Sequence, residues 1–219
     1  MIGIIDYGMG NLRSVQKAFE LLGAEAVILA GPEGPGGVDL SAVAKLVLPG
    51  VGAFGDGIEH LRQRGWVEPI KAFVASGRPF LGICLGMQLI FESSEEDAPS
   101  PNQPVSGLGL LPGRVVRFRP PGVPAGLRLK VPHMGWNTLA WRREDPLLKG
   151  LAQESAVYFV HSYYVKPMES AQAPITSAVS DYGGPFTASI WRDNIWATQF
   201  HPEKSQRVGQ KILANFVRL

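Results

Sequence analysis

Across the first ninety or so residues, short and almost wholly apolar runs alternate with segments whose apolar residues recur at helical spacing. A strand without polar alternation has both faces buried, and such strands belong to parallel sheets covered by helices on either side. The runs are Ile2 to Ile5, Ala26 to Leu29, Lys45 to Leu48 and Pro79 to Ile83. Between them Leu12, Val15, Phe19 and Leu22 mark one helix, closed by Gly23, while Ile58 to Leu61 and Val67 to Val74 mark two more. Leu85 to Glu92 is predicted to begin a further helix behind the fourth strand.

The second half is built differently. Proline and glycine crowd residues 98 to 126, which predicts a loop with one strand at Val115 to Phe118. Strands are then expected at Val157 to Val165, Ile175 to Val179, Phe186 to Trp191 and Ile195 to Phe200, with Asp193-Asn194 as a tight turn between the last two. Ser205 is placed to cap a final helix carrying Val208, Ile212, Leu213 and Phe216 on one face. The expected fold is α/β and three-layered. Its central sheet is mostly parallel with helices on both faces, and additional antiparallel strands come from the second half of one domain spanning residues 1–219.

The totals narrow the function. An apolar share of 45% and a charged share of 18% describe an ordinary globular chain, and a net charge of +2 argues for neither nucleic acid nor a membrane surface. A single cysteine excludes an internal disulfide and fits a reducing compartment. With no positive n-region ahead of the first strand, neither a signal peptide nor a membrane span is expected, and the cytoplasm is the default location.

That one cysteine is the sharpest chemical signal. Cys84 lies in Gly82-Ile83-Cys84-Leu85-Gly86, between a strand and a helix, as nucleophiles do on a strained elbow turn. Small neighbours let the backbone turn sharply and approach a substrate closely. The helix starting at Leu85, together with an imidazolium, is expected to favour the thiolate. Downstream, His201-Pro202-Glu203 ends another apolar strand, so a base and the carboxylate that orients it stand two residues apart. Of the other histidines, His60 falls on a helix face expected to be solvated, and His161 inside an apolar run reads equally as a satisfied core histidine. The loop Pro49-Gly50-Val51-Gly52-Ala53-Phe54-Gly55 can turn backbone amides toward a developing oxyanion, together with the amide of Leu85. It lacks the Gly-Lys-Ser/Thr of a phosphate loop. Gly8-Met9-Gly10 reads as a tight turn, and the histidine and cysteine spacings suit no metal site, so neither metal nor cofactor is expected.

In this order, the segments Pro49 to Gly55, Gly82 to Gln88 and His201 to Glu203 resemble class I glutamine amidotransferase domains. Within that class, Asp6-Tyr7-Gly8-Met9-Gly10-Asn11-Leu12, Pro132-His133-Met134-Gly135-Trp136-Asn137, Phe159-Val160-His161-Ser162-Tyr163 and His201-Pro202-Glu203-Lys204-Ser205 are similar to the glutaminase subunits of imidazole glycerol phosphate synthases. The resemblance implies that Cys84, His201 and Glu203 hydrolyse glutamine through a glutamyl thioester. Val51, Gly52 and Leu85 would supply oxyanion amides, and Gly52, Gln88 and the His161-Ser162-Tyr163 strand would hold the substrate. It further implies a (βα)₈-barrel cyclase as partner, met by Asn11, Trp136, Tyr158 and Lys204 and taking ammonia through an interior channel. An oxyanion peptide on the Pro-Gly-Val-Gly loop that turns inward only when the partner is loaded is implied too. A glutaminase serving an anthranilate, aminodeoxychorismate or pyridoxal phosphate synthase, a cysteine peptidase-like hydrolase and a non-catalytic binding module are the competing readings. Residues 94 to 106 are expected to form a solvated connecting loop, and the stretches 31 to 37 and 119 to 126 match no motif.

Overall fold

A computed structural model describes residues 1–32, 40–100, 102–119 and 129–219. Positions 33–37 and 120–126 of the two motif-free stretches lie outside the described residues. The first half runs β1 (Ile2–Ile5), α1 (Leu12–Glu20), β2 (Ala26–Leu29), β3 (Lys45–Gly50), α2 (Phe54–Gln63), α3 (Val67–Ala75), β4 (Phe80–Cys84) and α4 (Leu85–Leu89). There follow β5 (Phe91–Ser94), β6 (Val105–Ser106), β7 (Leu111–Arg117), β8 (His133–Thr138), β9 (Ala140–Trp141), β10 (Ala156–His161), β11 (Tyr163–Pro167), β12 (Thr176–Asp181), β13 (Pro185–Arg192), β14 (Ile195–Thr198) and α5 (Gln206–Arg218).

Eight strands form the main sheet in the order β2-β1-β3-β4-β14-β13-β12-β9. The five from β2 to β14 are parallel, and β13, β12 and β9 continue antiparallel. Buried side chains divide onto two faces as the strand period requires. Leu46, Leu48 and Phe80 pack with Phe54, Ile58, Ile70 and Phe73 of α2 and α3. Val47, Leu81 and Ile83 pack with Val15 and Phe19 of α1 and with Ile212, Leu213 and Phe216 of α5. Helix, sheet, helix is therefore the layering, and the unbroken apolar runs are its signature in sequence. Among the described residues no helix is long and apolar enough to cross a membrane.

Four expectations are corrected. The helix expected over Leu85 to Glu92 lasts five residues, and Phe91 begins a strand in a second sheet ordered β11-β7-β5-β6. The single strand expected over Val157 to Val165 is two. The chain breaks at Ser162, so β10 pairs with β8 in a separate ribbon while β11 pairs with β7. The stretch read as loop around residues 98 to 119 contains β6 and a seven-residue β7, and β8 was not foreseen. Ser205 does stand at the start of α5, but its side chain does not cap the helix: Oγ donates to His201 O at 2.7 Å and accepts from Tyr158 N at 3.0 Å. The serine ties the end of the last strand to β10.

Candidate active site

Cys84 ends β4 in the middle of the main sheet, at the carboxyl ends of the parallel strands, where open α/β sheets place their ligands. Its φ of 54° and ψ of −107° put a non-glycine residue in a strained conformation, as an elbow turn demands. The flanking glycines are obligatory for a steric reason. A Cβ at Gly82 would lie 2.9 Å from Gly86 O, and one at Gly86 would be driven into the carbonyl oxygen of Leu48. A helix of five residues has little macrodipole, so local groups around the sulfur decide its charge rather than α4 as a whole.

His201 follows β14, which is hydrogen-bonded alongside β4, so the sheet itself brings imidazole and sulfur together. Its Nδ1 is 2.7 Å from Glu203 Oε1, and both side chains are almost completely buried. Pro202 opens a short 3₁₀ turn that holds the two residues at this spacing. Burial disfavours the charged ring, but the negative charge of Cys84, a hydrogen bond to it and the Glu203 carboxylate outweigh burial and raise the His201 pKa to about 10. Beyond its contact with Cys84, His201 Nε2 has no hydrogen-bond partner within the fold, which leaves it a proton to give. The arrangement has the parts that a nucleophile, a base and an orienting acid require.

Beside the sulfur is a cavity of about 240 Å³, lined by Val51, Gly52, Cys84, Leu85, Gln88, Glu96, Pro132, Val160, His161, Ser162 and Tyr163. Every residue that the sequence places at the oxyanion or around the substrate lies on this wall. Gly52 has φ +107°, a conformation that disfavours any side chain. A larger cavity of about 790 Å³, lined in part by Arg142, Tyr164, Lys166 and Thr187, contains neither the cysteine nor His201. Convergence of reactive groups, not size, locates the site.

The His161 side chain does not face a ligand. Its Nδ1 lies 2.8 Å from Tyr163 O and its Nε2 lies 3.1 Å from His133 Nδ1. Burial lowers the His161 pKa to about 3 and that of His133 to about 4, so both rings are neutral near pH 7. A carbonyl only accepts, which fixes the tautomers: His161 Nδ1–H donates to Tyr163 O, and His133 Nδ1–H donates to His161 Nε2. Asn137 Nδ2, 3.3 Å from His133 Nε2, completes the chain. His161 thus helps hold the Ser162–Tyr163 backbone against the cavity. His60, expected on a solvated face, is half-buried with Nδ1 enclosed, because α2 lies against the turn at Gly8.

Two site residues escape sequence reasoning. Glu96 lies in the stretch read as a solvated loop, yet it is half-buried on the cavity wall and accepts from Phe54 N at 3.0 Å. It thereby caps α2, whose own N-cap, Ala53, cannot. Burial raises its pKa despite that hydrogen bond. Gln199 is fully buried, with Nε2 3.8 Å from Cys84 Sγ. Its signal was present: a polar residue at the end of an apolar strand, two positions before His201. Among the described residues no group of His, Cys, Asp and Glu is placed to hold a metal ion.

The expected partner-facing residues divide. Trp136 is 48% exposed and meets Tyr158 edge-on across β8 and β10, with ring centroids 6.0 Å apart. Met134, 62% exposed, continues the patch, and Lys204 is exposed on the turn between His201 and α5. Asn11 is exposed but already caps α1, accepting from Ser14 N at 3.3 Å.

A family model described as glutamine amidotransferase class-I matches residues 3–219. A protein of Syntrophotalea carbinolica named imidazole glycerol phosphate synthase subunit HisH is 54% identical over 99% of this chain and 98% of its own. Proteins of the same name from Geobacter sulfurreducens and Synechococcus elongatus are 53% and 47% identical, covering 98% and 99% of this chain and 97% and 92% of theirs. Among solved structures, PurLQS from Thermotoga maritima has a TM-score of 0.71 at 15% identity, covering 99% of this chain and 97% of that one. A crystal structure of a glutamine amidotransferase has a TM-score of 0.67 at 19% identity, with 99% and 97% covered. At these identities the structures speak to the fold alone. From sequence match and architecture alike, the chain belongs to the class I glutamine amidotransferase family.

Proposed function

We propose that this chain is the glutaminase subunit of an imidazole glycerol phosphate synthase, supplying ammonia for histidine biosynthesis to a (βα)₈-barrel cyclase. The observation that carries the chemistry is the strained Cys84 elbow at the wall of one small cavity, with a buried His201–Glu203 pair behind it on the neighbouring strand. Names borne by relatives at 47 to 54% identity over nearly the full chain support the choice of synthase.

Glutamine enters with its side-chain amide toward Cys84. The thiolate attacks the amide carbon, and the carbonyl oxygen takes up the negative charge. Backbone amides of Leu85 and of the Val51–Gly52 loop receive that oxyanion, each donor of this kind contributing ~10² to ~10³ in rate. His201 Nε2–H protonates the departing nitrogen, so ammonia leaves neutral. The ring, now a base, takes a proton from water, which attacks the glutamyl thioester and releases glutamate. Glu203 holds the ring's tautomer through both halves of the cycle. The Gln88 amide nitrogen is committed to Tyr163 O at 3.0 Å and Gln199 Oε1 at 3.1 Å, so it offers a ligand its oxygen. Glu96 is the anionic group on the wall and suits the α-ammonium of glutamine.

At about 240 Å³ the cavity falls below the ~300 to ~1,000 Å³ of drug-sized sites, which suits one amino acid and disfavours a peptide. The exposed Trp136, Met134 and Lys204 suit a partner surface with an aromatic anchor, and a reducing cytoplasm suits an enzyme that depends on a free thiol. Gly50 and Gly52 would let the oxyanion peptide turn inward when that partner is loaded.

The test is glutamate release from glutamine by the whole chain, alone and with the cyclase and its nucleotide substrate, using Cys84→Ala as control. Turnover should rise strongly with both additions and vanish in the variant. Glutamate release by Cys84→Ala would refute the nucleophile. Copurification with a different synthase would overturn the choice of partner.

A further inference from the structure

Cys84 Sγ lies between two groups of opposite preference. On one side the carbonyl of Val160 on β10 is 3.9 Å away, an acceptor only, which favours a sulfur that keeps its proton. On the other, Gln199 Nε2 is 3.8 Å away, a donor only, which favours a sulfur that has lost it. The orientation of the Gln199 amide follows from its neighbours. Tyr163 O accepts from Gln88 Nε2, so that nitrogen is a donor, and Gln199 must present its oxygen toward Gln88 at 3.1 Å. Its nitrogen therefore faces the sulfur. Gln199 is fully buried and Gln88 is 4% exposed, so water cannot substitute for either amide.

We infer that Gln199 is a catalytic residue of this site, its side-chain amide donating to Cys84 Sγ and holding the sulfur as an anion aimed into the cavity. The imidazolium of His201 supplies the charge, and Gln199 supplies direction from another side of the atom. A bond this long to a thiol shortens when the acceptor is charged. When the sulfur becomes an acyl thioester it loses its charge, the bond weakens, and the bond is restored as water releases the acyl group. Gln88 is then a positioning residue acting through Gln199, which links the strand that would carry the substrate, at Tyr163, to the nucleophile.

This role takes its chemistry from the glutaminase reading, but its test does not. The rate of Cys84 alkylation by iodoacetamide is measured against pH in the full chain, for wild type, Gln199→Leu and Gln199→Glu, with circular dichroism on each to establish folding. His201 and Tyr7 act electrostatically on the sulfur, His161 and Glu96 share its cavity wall, Glu203 stands behind His201, and all five are unchanged in the three proteins. Losing the donor should move the midpoint up by about one unit and slow alkylation below it about tenfold. Gln199→Glu, nearly isosteric, should move it further, because a carboxylate then faces the sulfur. If the leucine variant does not fold, the glutamate variant carries the comparison. Profiles of folded variants that superimpose on wild type would overturn the inference. Failure of wild type and cyclase together to release glutamate would instead sink the glutaminase reading, leaving the alkylation result to stand.

Discussion

Gly86→Ala tests how the elbow is built. A Cβ at position 86 would intrude about 1 Å inside the 3.0 Å that real side chains keep, and it would meet backbone, the Leu48 carbonyl of β3, rather than a side chain able to turn aside. Leu48 is paired with Gly82 on β4, so β3 cannot retreat without dragging the strand that carries Cys84. Overpacking of this kind costs ~1 to ~3 kcal/mol, and rigid backbone on both sides points to the upper end. For a chain of this size ~3 kcal/mol lowers Tm by ~6 to ~12 °C. The same displacement moves the sulfur relative to the Val51 and Gly52 amides, and a misplacement of ~1 Å costs ~10² in rate. Calorimetry and glutamate release in the presence of the cyclase measure the two effects. Gly77→Ala is the control: its φ of +78° is strained for alanine but nothing lies within 4 Å, so only the backbone penalty of ~1 to ~2 kcal/mol applies. If Gly86→Ala melts no lower than Gly77→Ala and keeps its turnover, the steric account of the elbow is wrong.

Other outcomes follow from the same geometry. Glu203→Gln should lower kcat by up to ~10⁴ while the fold survives, since the amide keeps the shape but not the charge; steady-state kinetics and a melting curve check it. Glu96→Gln should raise KM for glutamine at least about tenfold with little change in kcat, because it keeps an oxygen for Phe54 N but loses the anion. The His201 pKa is raised on folding from near 6.5 to about 10, so its stabilising contribution is complete below about pH 6.5 and fades as pH climbs toward 10. Urea melts at rising pH should show that loss in wild type, and a His201→Gln protein that shows it equally would count against the assignment. Trp136→Ala should weaken cyclase binding by more than about tenfold in a titration and leave the melting temperature of the free chain nearly unchanged.

The parallel half of the sheet was readable because strands buried on both faces leave almost no polar residue in their runs. The elbow was readable because only glycine fits at 82 and 86. What was hidden shares a cause. After Leu89 the chain leaves the helix while its residues stay apolar, since Ile90 and Phe91 are buried in either conformation, so the pattern gives no stop signal. Ser162 divides β10 from β11 inside one apolar run because the two strands serve different sheets, a tertiary fact that periodicity does not encode. Glu96 looked like part of an acidic loop, and only the fold turns it inward to the amide of α2. Ser205 followed the rule for a helix cap, yet a buried carbonyl and a buried amide nearby made stronger claims on its hydroxyl.

β14 is the last strand of the chain but occupies the middle of the main sheet, between β4 and β13. Until residues 195–198 have been synthesised and inserted, β4 has a bare edge and Cys84 has neither its base nor Gln199 beside it. A chain cut before β14 keeps the sulfur but has neither His201 nor Gln199 beside it, and it should release no glutamate from glutamine. Two strands far apart in the sequence, β4 and β14, thus close the reactive centre between them.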